Sequence, residues 1–189
     1  MGKDRLAAFS DGVIAIIITI MVLELHVPHG ADWQALVAIA PSFLTYVLSF
    51  VYIAIYWNNH HHLLRATKRI SAAVMWSNLV LLFWLSLTPF ATAWVGSNYT
   101  RVLPATTYGV VALGSALAFF VLIKSILRAN VDDDAIRAAI GKNTKGKISP
   151  LIYVLGVALA FVTPYLAYGC YVTVSLVWII PDRRLATKS

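Results

Sequence analysis

Six apolar stretches follow one another along the chain, and almost every basic residue falls in alternate gaps between them. They cover residues 7–27, 36–57, 70–95, 102–127, 148–162 and 166–180. A bilayer-crossing helix needs about 20 mostly apolar residues, because hydrocarbon offers no partner to an unpaired backbone amide. Only Thr163-Pro164-Tyr165 separates the last two stretches, which predicts a tight helical hairpin. With the N-terminus placed in the cytoplasm, Lys3, Arg5, Arg65, Lys68, Arg69, Lys124, Arg128, Arg137, Lys142, Lys145, Lys147, Arg183, Arg184 and Lys188 are all inside. Arg101 alone is outside, a strong positive-inside bias. The expectation is an all-α integral membrane protein: one domain over residues 1–189, six transmembrane helices, both termini cytoplasmic, multi-pass in a prokaryotic inner membrane.

Composition removes the alternatives. Of 189 residues, 60% are hydrophobic and 12% charged, against about 25% charged in ordinary soluble domains. That is too little charge to coat a soluble enzyme, and the single cysteine, Cys170, rules out a disulfide scaffold. A net charge of +7 raises the question of nucleic acid, but the charge sorts by membrane side and no phosphate loop or zinc spacing accompanies it, so no nucleic-acid partner is expected. The first stretch, basic at its start with an apolar core over 12–23, has the outline of a signal peptide. Ser10 and Asp11 before the core, Glu24 after it and no A-x-A site favour a retained helix shielded from lipid by other protein. Pro41 and Pro89 predict kinks or helix starts. The segment 128–147, with Asp132-Asp133-Asp134, reads as a solvated cytoplasmic connection with room for a short helix over 134–140. No half of the chain repeats the other, so an inverted-repeat transporter gains no support.

Asp11 is the most informative residue. A carboxylate within a span is costly and usually faces a bundle interior or a wet cavity; the plain alternative is an acid favoured by the helix N-terminus. Arg5 is its nearest basic neighbour, but six residues turn about −120° round a helix, so the two do not stack. Further along, Ile16, Thr19, Ile20 and Leu23 fall on one stripe, which Val27 would continue. Such a stripe ordinarily packs against helices or lipid. Copies of it around an axis would form apolar rings able to gate by dewetting. His60-His61-His62, after Trp57, cannot all point one way on a helix, so no metal site is expected; bonds from them to Asp11 or Arg5 are the better reading. Asn78, Thr88 and Thr92 read as interhelical hydrogen-bonding residues. Asn98-Tyr99-Thr100 matches a glycosylation sequon, a weak signal.

Arg5, Phe9, Ser10 and Asp11 form an R-x-x-x-F-S-D pattern that resembles the hallmark of the lysosomal potassium-channel family, transmembrane protein one-seventy-five, above all its short prokaryotic members. Tyr56-Trp57-Asn58-Asn59-His60-His61 resembles that family's W-x-x-H-H element. Trp76-Ser77-Asn78-Leu79 with Leu87-Thr88-Pro89-Phe90 is similar to its third helix. The resemblance implies a homotetrameric, potassium-permeable cation channel with the first helix of each subunit lining a central pore. It implies a constriction at Ile16, Thr19, Ile20 and Leu23, and a scaffold of Arg5, Phe9, Ser10 and Asp11 braced by Trp57, His60, His61 and Asn78. Ile20 stands where leucine is frequent in relatives, and Ala15 leaves no polar residue four positions after the motif acid. No cofactor is implied beyond permeant potassium and other monovalent cations. The competing class is a proton- or ion-coupled transporter in which Asp11 and the inner histidines titrate. An enzyme built on the histidines would need further ligands, and none is expected.

Overall fold

The computed structural model describes residues 2–134, 136–137 and 144–179. The described residues fold into helices joined by short connections: α1 (Lys3–Leu23), α2 (Trp33–Ala38), α3 (Ala40–Ala66), α4 (Ala72–Ser86), α5 (Thr88–Ser97), α6 (Val102–Ala129), α7 (Thr144–Leu159) and α8 (Pro164–Ile179). Among the described residues, four helical segments are long and apolar enough to cross a membrane by length and composition: α1, α3, α6, and α4 with α5 taken together as Ala72–Ser97. The last pair have 16 residues each, about 24 Å at 1.5 Å per residue, short of a hydrocarbon core of about 30 Å. They meet through a turn at residues 160–163, the hairpin expected from the sequence.

Several ends differ from the expected ones. The first helix starts at Lys3 and stops at Leu23, so Val27 lies beyond the helix and does not extend the stripe. Polar Lys3, Asp4 and Arg5 join it because lysine and arginine are good helix formers and Asp4, in the first turn, complements the helix N-terminus. Leu36 belongs to the short α2, whose N-cap Asp32 accepts a hydrogen bond from the Ala35 amide at 2.8 Å. Pro41 then sits in the first turn of α3, where its missing N–H costs nothing. That helix runs on past Trp57 to Ala66 and carries all three histidines. Pro89 acts likewise: the third stretch breaks at Leu87 and restarts as α5. Of the short helix expected over 134–140, Asp134, Ile136 and Arg137 are helical and the rest lies outside the described residues, as do Lys142, Arg183, Arg184 and Lys188.

The core is centred on α6, which packs on α4, α5, α7 and α8. Leu122 and Ile126 of α6 and Leu81, Leu85 and Val74 of α4 are all fully buried in it. Gly114 makes this approach possible, since a β-carbon on it would overlap the Trp84 ring. The first helix packs on α3, α4 and α5 and lies at the margin of the bundle.

Candidate ion pathway

The first helix has two faces of different chemistry. Leu6, Ser10, Ile14, Ile17 and Met21, spaced by four, four, three and four, are buried. Phe9, Ile16, Thr19, Ile20 and Leu23 are on the other side and exposed, Ile16 at 58% and Leu23 at 80%, against 4% for Ile17. One residue of rotation, about 100°, separates exposed Ile16 from buried Ile17. The Thr19 hydroxyl donates to its own helix, to Ile16 O at 3.0 Å and Ala15 O at 3.2 Å. Its methyl and the isoleucine side chains are therefore what the exposed face presents.

A relay of hydrogen bonds fixes the rotation of this helix. The Ser10 hydroxyl donates to Leu6 O at 2.9 Å. Asn78 Nδ2 of α4 donates to Ser10 Oγ at 2.9 Å, and His60 Nε2 of α3 donates to Asn78 Oδ1 at 2.7 Å. All three side chains are buried. An amide oxygen can only accept, so His60 Nε2 carries a proton, and Nδ1 is buried with no hydrogen-bond partner among the described residues. Asp11, half-buried, is 100° further round; its Oδ1 accepts from Trp57 Nε1 at 3.0 Å. Three helices are thus tied at one level by two adjacent residues of α1.

This corrects the partner expected for Asp11. The indole of Trp57 takes it, because Trp57 and His60 are three residues apart on α3 and the rotation of that helix turns His60 to Asn78. His61 lies against Trp57 with ring centroids 5.9 Å apart, and His62 against His61 at 5.8 Å. Arg5 is exposed and makes no ion pair among the described residues, and Phe9 is likewise on the exposed face. Of the four motif residues, Ser10 and Asp11 form the brace within one chain.

Beside the exposed face runs a groove of about 430 Å³, lined by Val13, Ile16, Ile17, Ile20 and Glu24 of the first helix side and by Ser86, Pro89, Phe90 and Ala93 of the broken third stretch. The restart at Pro89 gives the groove its far wall. Glu24 is its single carboxylate. A second polar cluster, not anticipated as a unit, joins α3, α5 and α6: Thr92 Oγ1 donates to Ser49 Oγ at 2.7 Å and Ser49 lies 3.0 Å from the Tyr108 hydroxyl. Single serines and threonines in apolar runs carry no signal of which neighbour they meet.

Comparisons with known proteins point one way. The family described as endosomal/lysosomal potassium channel TMEM175 matches residues 5–89, the span from the motif arginine to the α5 proline. A potassium channel of Chryseobacterium sp. (strain P1-3) is 50% identical over 185 residues, 98% of this chain and 96% of its own length. The endosomal/lysosomal proton channel TMEM175 of Gallus gallus is 32% identical over 103 residues, 48% of this chain and 21% of its own. The crystal structure of a lysosomal potassium-selective channel TMEM175 homolog from Chamaesiphon minutus superposes with a TM-score of 0.81 at 28% identity, covering 96% of this chain and 97% of that one.

Proposed function

The chain belongs to the TMEM175 family of ion channels, and from that premise we propose that it is a potassium-permeable cation channel whose pore is lined by α1. The observation that carries the reading is the division of this helix. One face is held to its own subunit by the Ser10–Asn78–His60 relay and the Trp57–Asp11 bond, and the other, apolar, is left uncovered. Four copies around an axis would cover that face and set Ile16, Thr19, Ile20 and Leu23 in stacked rings. Rings of branched apolar side chains expel water when narrow, so conduction needs a wetted, wider state through which hydrated cations pass. No backbone-carbonyl filter of the T-V-G-Y-G kind is encoded, so discrimination rests on ring width and on the cost of stripping water.

In this reading residues 1–189 form one six-helix unit with both termini cytoplasmic, sited in the cell membrane, and α7 and α8 complete the six spans as a short hairpin. Asp11 and the histidines brace the pore helix rather than titrate in a carrier cycle. Potassium-over-sodium preference is the expected selectivity, supported by the names of the bacterial relatives. Proton permeation is the second reading, favoured by the name of the animal relative. Purified protein in planar bilayers decides between them. The proposal expects unitary currents with a reversal potential set by the potassium gradient; a reversal potential that follows pH supports the second reading, and saturable flux without unitary currents supports the transporter.

A further inference from the structure

We propose that the cavity between α3, α6, α7 and α8 binds one small neutral alcohol, whose hydroxyl pairs with Tyr153 and whose carbons lie against Phe119 and Val174. The inference rests on packing within one subunit and not on what the chain conducts. The cavity leaves about 30 Å³ for the centre of a water-sized molecule to occupy. One water needs about 10–15 Å³ by that measure, so an occupant of about three heavy atoms fits. Its walls are held in place by contacts of their own. Trp178 Nε1 donates to Ser149 Oγ at 2.8 Å, and Ser149 donates in turn to Lys145 O at 2.8 Å. Tyr56 stands edge-on to Phe119 with ring centroids 5.7 Å apart, and Tyr153 lies 6.1 Å from Tyr171 by the same measure.

The chemistry of the lining selects the ligand. Among the described residues no charged side chain borders the cavity, so an ion or a phosphate would be stripped of water there without compensation. The Ser175 hydroxyl donates to Tyr171 O at 3.2 Å and Asn59 Nδ2 donates to Ile55 O at 2.8 Å, so these lining donors are already spent within their own helices. Tyr153 differs: it is 2% exposed, yet its hydroxyl makes no hydrogen bond among the described residues. A buried hydroxyl left unpaired is costly, and a ligand oxygen beside it removes that cost. Water asks for two to four polar partners. An alcohol asks for one at its oxygen and an apolar wall for the rest, which Phe119, Ile55 and Val174 supply.

The test is fluorine NMR of the purified full chain titrated with 2-fluoroethanol, an alcohol close to ethanol in size. The expected result is one saturable site per chain, displaced by ethanol, with a midpoint of about 1–10 mM, within the limit on binding per heavy atom. Tyr153→Phe, which keeps the ring and loses the hydroxyl, should raise the midpoint about fivefold. Tyr165→Phe, the same change at an exposed tyrosine of α8, should leave it within about twofold. Val174→Phe should fill the cavity and abolish the saturable part; if that variant fails to purify, the two tyrosine variants decide alone. Uptake that rises without saturating, equal effects of Tyr153→Phe and Tyr165→Phe, or a saturable site that survives Val174→Phe would each overturn the proposal.

Discussion

The first and sixth helices are nearly equally apolar, yet within their most hydrophobic windows 28% of α1 is buried and 56% of α6. Sequence hydropathy does not distinguish them; what surrounds them does. The sixth helix finds its partners inside the subunit, against α4, α5, α7 and α8. The first finds partners for one face only, and keeps that face in place with polar bonds rather than with apolar contact alone. A helix with a pinned side and a bare side can present an apolar face without losing its orientation, and the proposed pore role rests on that division.

The difference can be broken first at the core. Leu122→Ala, at a fully buried site in α6, should cost about 2–5 kcal/mol, read as a fall in melting temperature in detergent. Leu23→Ala, at 80% exposed on α1, should leave the subunit's own stability within about 0.5 kcal/mol and act on assembly instead. The relay comes next. Asn78→Ala leaves the buried His60 Nε2–H without its acceptor and removes the donor to Ser10 Oγ, which keeps its bond to Leu6 O, for an expected loss of about 1–3 kcal/mol, checked by thermal unfolding. Asp11→Ala should cost less, about 1 kcal/mol, since Asp11 is half-buried and its partner, Trp57, is exposed. A loss in Asp11→Ala exceeding that in Asn78→Ala would mean that the acid, not the amide, is the main tie.

Much of this was readable from the chain because it depends on local rules. The stripe of Ile16, Thr19, Ile20 and Leu23 follows from 100° per residue, and the break before α5 follows from Pro89. The opposite faces of Ile16 and Ile17 are the same arithmetic. What was not readable depends on how helices rotate against each other. The sequence favoured a histidine as the partner of Asp11, and only the packed α3 shows that Trp57, three residues before His60, takes the acid while His60 goes to Asn78. The bonds between the Asn130 side chain and both backbone groups of Arg69 had no signal either: an asparagine past the end of a helix looks like any other cap until the loop that it holds is in place. The extension of α3 through the histidines was hidden because polarity marks where apolar surface stops, and a helix can continue beyond it.

The pore role of the bare face is tested most directly by recording Ile16→Asn and Ile17→Asn in planar bilayers under bi-ionic potassium and sodium. An amide at an apolar ring wets it and lowers the barrier to a hydrated ion. Ile16→Asn should therefore conduct more than the unaltered chain and discriminate less between the two ions. Ile17→Asn, placed against the subunit core, should lower expression or stability while leaving the reversal potential of surviving channels where it was. Unchanged conductance and reversal potential in Ile16→Asn, or a selectivity shift in Ile17→Asn instead, would contradict a pore lined by the exposed face of α1.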